Sequence, residues 1–212
     1  MTGCFSVWRC RPLIQRAEQE VSSQRSSSLI LPILRDYPAL LSLISASSAA
    51  LTIGFLESLL ELFLEESFSL SVTGAGLCFL VMAVSYTTLT LITGYCADKL
   101  LHPVTITISG LILLLTSFTL LAPAPFLPLP PSLPTTILGL VLQGAGAGAV
   151  VVSSYSSALQ ATLIIPGFSA SVSTYSCVSG LWTSAFALGN FVGPSVAGII
   201  YEQVQITRKI LI

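Results

Sequence analysis

Apolar positions along this chain come in runs tens of residues long without a charge, and the charged positions gather in the gaps between them. A membrane-spanning helix needs about 20 predominantly apolar residues. Five runs qualify, over 38–56, 70–93, 103–122, 136–155 and 177–201. Between the third and fourth, residues 123–134 hold six prolines (Pro123, Pro125, Pro128, Pro130, Pro131 and Pro134). Proline lacks the backbone N–H that a helix interior needs, so this stretch is expected as a non-helical connection outside the hydrocarbon. The pattern divides the chain into a Ser- and Arg-rich arm over 1–36, a transmembrane bundle over 37–203 and a short tail over 204–212. The arm is expected to be disordered.

Charge changes this picture by giving it a direction. Arg9, Arg11, Arg16, Arg25 and Arg35 precede the first run, and short segments rich in arginine stay in the cytoplasm. The next gap carries Glu57, Glu61, Glu65 and Glu66 and falls on the opposite side. Asp98 and Lys99 return to the cytoplasm, the proline segment lies outside, and residues 159–174 lie inside. Arg208 and Lys209 then land outside, against the rule, which is the pattern expected if a following helix is missing.

Composition excludes several classes of function. Only 8% of the 212 residues are charged and 53% are apolar, with a mean hydropathy of +0.90. A soluble domain carries about a quarter of its residues as charges, so the surrounding solvent is expected to be lipid. With a net charge of −1 and no basic patch, no nucleic-acid partner is expected. The five cysteines are scattered, with only His102 to join them, so neither a metal site nor a cofactor is expected. Gly144-x-Gly146-x-Gly148 has the look of a nucleotide loop, but it sits inside an apolar run with no preceding strand and no downstream acid. No nucleophile–base pair can be assembled, so an enzyme is not expected.

Three groups of residues resemble the major facilitator superfamily. Gly94-Tyr-Cys-Ala-Asp98-Lys99 resembles the cytoplasmic loop signature Gly-x-x-x-Asp-(Arg/Lys), with Leu100, Leu101 and His102 where a further Gly and basic residue are usual. Gly189-Asn-Phe-Val-Gly193-Pro194-Ser-Val-Ala197-Gly198 is similar to the helix-packing motif of antiporter-type members, with Ala197 in place of a glycine. Gly54-Phe-Leu-Glu57, Met82-Ala-Val-Ser-Tyr86 and Val178-Ser-Gly-Leu-Trp182 resemble the vesicular amine transporters, above all their polyamine branch. The resemblance covers about 38–203 and matches helices seven through eleven of a twelve-helix pattern. It implies an all-α C-terminal half-bundle of five spans with the sixth helix missing. It also implies a small-molecule solute, a partner in the N-terminal half of a full transporter, and an intracellular vesicle membrane rather than the plasma membrane.

Candidate residues follow from both lines. A carboxylate inside a span costs roughly 2.5 kcal/mol or more, so Glu57 is expected to face a cavity, where the resemblance puts an acid that meets a cationic amine. The competing reading makes Glu57 part of the solvated face of a helix leaving the membrane, as Glu61 and Glu65 are expected to be. Tyr86 offers a ring for cation–π attraction. Ser153 and Tyr155 are polar groups in the fourth span, which has Ser157 where related transporters carry an acid. Gly94, Asp98 and Lys99 are expected as a cytoplasmic gate, and Gly189, Gly193, Pro194 and Gly198 as a packing seam. Trp182 and Tyr201 are expected as interfacial anchors. The expected function is secondary active transport, as proton-coupled antiport of small organic cations such as polyamines or monoamines. The alternative is a truncated, non-transporting membrane protein that associates with a full carrier.

Overall fold

A computed structural model describes residues 30–99, 101–121, 132–165 and 170–210, and side chains within them except at 98 and 204–210. The polypeptide there is helical, with five long elements: α1 (Tyr37–Phe68), α2 (Val72–Lys99), α3 (Pro103–Leu121), α4 (Leu133–Ile164) and α5 (Val172–Ile210). All five contain a stretch long and apolar enough to cross a membrane. Most of the arm, the first part of the proline-rich segment and the extreme C-terminus lie outside the described residues. The arm's last residues, 30–35, are helical rather than irregular, and Ile33 is buried against Ala158, Cys177 and Val178.

Local chemistry sets the helix ends. Asp36 caps α1 by accepting the Ala39 N–H at 3.3 Å, with Pro38 in the first turn where its missing donor costs nothing. The helix stops at Ser69, whose φ of 51° is left-handed and whose N–H closes onto Glu65 O at 3.0 Å. Ser71 accepts the Gly74 N–H at 3.4 Å to start α2, and Ser171 accepts the Thr174 N–H at 3.3 Å to start α5. At the start of α4 the Ser132 N–H reaches Thr135 Oγ1 at 3.3 Å.

Helix α4 is the hub, packing along α1, α2 and α3, while α5 packs chiefly along α1. Its Gly-x-Gly-x-Gly run explains how one helix serves two neighbours. Residues four apart share a face and residues two apart point nearly opposite ways. A Cβ added at Gly144 would strike the Met82 carbonyl and sit 2.9 Å from Tyr86 N; one at Gly148 would sit 2.7 Å from Tyr86 O, so both glycines admit α2. A Cβ at Gly146 would lie 2.9 Å from Gly110 O, so it admits α3. In lipid, such backbone approach replaces the hydrophobic force that packs helices in water.

Hydroxyls account for most of the polarity that lipid would otherwise reject. Exposed Thr87 and Thr88 donate to Ala83 O and Val84 O in their own helix, at 2.9 and 2.8 Å. Others tie helices together: Ser85 to Val141 O at 2.7 Å, Ser117 to Gly139 O at 2.8 Å, and Thr107 with Ser153 at 2.8 Å. The outer surface is Leu77, Leu91, Ile112, Leu115, Phe191 and Ile199, all more than half exposed, which suits hydrocarbon and not water.

Candidate solute cavity

A cavity of about 260 Å³ opens between α1, α2, α4 and α5. Ile53 and Glu57 reach it from α1, Met82, Ala83 and Tyr86 from α2, Gln143, Gly144 and Ala147 from α4, and Phe186 from α5. The glycine approach just described builds it, since Gly144 draws α2 in close enough for Tyr86 and Gln143 to share one space. Burial grades the lining. Glu57 and Ala83 are exposed at the rim, Tyr86 and Phe186 are half-buried, and Gln143 is fully buried at the floor. The walls are otherwise apolar, so a charge entering meets one carboxylate, one phenol ring and one amide.

The candidate residues separate in three dimensions. Glu57 and Tyr86 come together in this cavity. Ser153 does not join them: it faces α3, bonded to Thr107 and to Ala149 O at 2.7 Å. Tyr155 lies along α4 from the cavity, its hydroxyl 2.8 Å from Ser179 Oγ. It connects to the cavity indirectly, because its ring meets Trp182 edge-on at 5.7 Å and Trp182 stacks on Phe186 at 5.3 Å. Trp182 differs from the expected interfacial anchor, being half-buried and donating its indole N–H to Ser154 Oγ at 3.1 Å. Its helix begins at Val172, further back than the apolar run suggested, which carries Trp182 into the packed part of the helix.

The two motif regions occupy other places. Gly189 and Gly193 lie in the α1–α5 seam: added Cβ atoms would strike Ser47 O and sit 2.5 Å from Leu51 O, respectively. The Pro194 ring meets Gly54 from the same seam, with its Cδ 2.9 Å from where a Gly54 Cβ would be. Gly198 is exposed with nothing near it, and buried Ala197 takes the inward position. Gly94 has no close neighbour; its nearest is Val152 at 4.0 Å from an added Cβ. Lys99 ends α2 with its ammonium 5.3 Å from the Tyr95 ring centre. The Asp98 side chain lies outside the described residues.

Gln143 is the lining residue that sequence reasoning missed. It is the one amide in the apolar run over 136–155, and polar groups inside a span are costly enough to mark function. Ser157 is buried with no hydrogen-bond partner for its hydroxyl.

No family model matches the chain. The MFS-type transporter SLC18B1 of Homo sapiens is 33% identical over 153 residues, covering 71% of this chain and 33% of that protein. The Mus musculus protein of the same name is 33% identical over 154 residues with the same coverage, and that of Rattus norvegicus is 31% identical over 152. The chain thus spans about a third of the length of these relatives. Over that stretch it belongs to the major facilitator superfamily, and it is related to the vesicular amine family within it.

Proposed function

We propose that this chain forms one wall of a secondary active transporter that exchanges a small organic cation for protons. The observation that carries the reading is Glu57 at the rim of an apolar cavity that also holds the Tyr86 ring. A carboxylate there attracts a cation and can instead take up a proton, so one group serves two competing ligands, which is the requirement of antiport. A single carboxylate beside an aromatic ring in otherwise apolar walls suits a small organic cation such as a polyamine or monoamine.

The opposing wall is supplied by the N-terminal half of a full carrier, because rocking of two halves about a midplane site is how such folds alternate access. Gly94, Asp98 and Lys99 serve as the cytoplasmic gate of that movement, and the membrane is that of an intracellular vesicle.

The test is proton-driven uptake of radiolabelled spermidine and serotonin into vesicles that hold this chain together with an N-terminal half. Glu57→Gln keeps the shape of the side chain and removes its charge. Uptake is expected to fall tenfold or more, since a charge-assisted contact is worth about 1.5–3 kcal/mol. Glu65→Gln, on the exposed end of α1, is expected to leave uptake within about twofold of the parent. Equal uptake by both variants at matched expression would reduce Glu57 to a helix-end charge and defeat the reading.

A further inference from the structure

Gln143 presents a problem that packing does not solve. Its side chain is completely buried, yet neither its amide oxygen nor its amide nitrogen has a hydrogen-bond partner. A primary amide offers two donors and an acceptor with two lone pairs, and leaving these unmet in an apolar interior is destabilising. Ser153 and Ser117, by contrast, tie α4 and α3 together through made bonds. Gln143 instead lines the floor of the cavity whose rim carries Glu57. Leucine would fill the same volume without the penalty.

We propose that Gln143 is a solute-contact residue whose amide oxygen accepts an N–H from the bound cation while Glu57 balances the charge. This rests on the transport reading of the same cavity and goes beyond it by naming the feature selected. A carboxylate alone attracts any cation by charge, with little regard to what surrounds that charge. An amide acceptor adds a requirement for an N–H, so the site prefers primary and secondary ammonium ions to quaternary ones. Tyr86 does not supply this distinction, because an aromatic face attracts quaternary ammonium as well.

The structure also provides the probe. The chain has two tryptophans, and Trp182 stacks on Phe186, which lines the cavity. In a Trp8→Phe background, Trp182 emission reports occupancy of the chain assembled in lipid nanodiscs with a tryptophan-free N-terminal half. Butylammonium and tetramethylammonium carry the same charge on similar volumes, and only the first has N–H donors.

The Gln143-containing chain is expected to bind butylammonium about tenfold more tightly than tetramethylammonium, and Gln143→Leu should bring that ratio to near one. The same substitution should raise the thermal unfolding midpoint, because it removes an unmet polar group. Gln143→Met provides a second, unbranched replacement with the same expected outcomes. Glu57→Gln should weaken both cations alike. An unchanged preference in Gln143→Leu and Gln143→Met overturns the assignment, and if Glu57→Gln still weakens both cations the transport reading stands without it. A lowered midpoint with the preference intact would make Gln143 a packing residue. If neither cation alters Trp182 emission in the unsubstituted chain, the cavity binds no cation and both readings fall.

Discussion

At the scale of single residues, hydroxyls in these helices do unequal work, and the difference can be measured. Ser117 is fully buried in α3 and donates across to Gly139 O of α4, while its neighbour Thr116 is exposed and donates to Ile112 O at 2.9 Å in its own helix. Interhelical hydrogen bonds in membrane proteins average about 0.6 kcal/mol by double-mutant cycles. Ser117→Ala is therefore expected to lower stability by roughly that amount plus the loss of a snug contact, about 1 kcal/mol in all. Thr116→Ala should be close to neutral, and slightly favourable through alanine's helix propensity. Unfolding in a mild denaturing detergent series reads both; equal effects would mean that the interhelical bond contributes nothing. The same contrast explains which site residues could be read beforehand. Glu57 and Tyr86 stand out in a one-dimensional string because a charge or a phenol in an apolar run is conspicuous. Ser153 looked equivalent to them, yet its partner Thr107 is 46 positions away and only packing decides which way it faces. Gln143 is neutral and stands among glycines and alanines, so its significance arises only once α2 and α4 close around it.

At the scale of the helix, the two glycines that share one motif are expected to respond with opposite sign. Gly193→Ala places a methyl 2.5 Å from Leu51 O and 2.8 Å from Phe55 N, both backbone atoms that cannot swing aside. Forcing α1 and α5 apart should cost roughly 1–3 kcal/mol. Gly198→Ala meets nothing within 4 Å, so it should stabilise α5 by about 0.5–1 kcal/mol, the ordinary gain of alanine over glycine in a helix. Thermal midpoints in detergent distinguish the two, and a loss at Gly198 equal to that at Gly193 would show another helix packed on the outer face of α5.

Helix existence was legible in the hydropathy because tens of uncharged residues admit little else. Helix length was not. The apolar run ends at 56, and only the four-residue spacing of Glu57, Glu61 and Glu65 signals that α1 continues, as it does to Phe68. Hydropathy reports where lipid ends; the backbone ladder continues into water until Ser69 turns left-handed. For the same reason α4 and α5 exceed their apolar runs at both ends.

At the scale of the molecule, the helix connections and the arginines make one joint prediction about sidedness. Only residues 69–71 separate α1 from α2, and residues 100–102 separate α2 from α3, so successive helices must run in opposite directions. That places Ser67 at one face of the bundle and His102 at the other. The Tyr201 hydroxyl bonds Glu66 Oε1 at 3.2 Å, which brings the late part of α5 to the same face as the end of α1. Glu202, next to that bond, therefore shares a side with Ser67 and not with His102. The arm's five arginines then assign the faces, since arginine-rich flanks stay in the cytoplasm. In a chain cleared of native cysteines, cysteine at His102 should react with an impermeant maleimide from the cytosolic side alone. Cysteines at Ser67 and Glu202 should react from the opposite side alone; all three replaced side chains are exposed. The two parts of the prediction fail separately. Labelling of Ser67 and His102 from one side contradicts the antiparallel arrangement itself. A clean reversal, with His102 facing away from the cytosol, leaves the fold intact and overturns the assignment by arginine. It would also move Arg208 and Lys209 to the cytosolic face, where the charge rule prefers them.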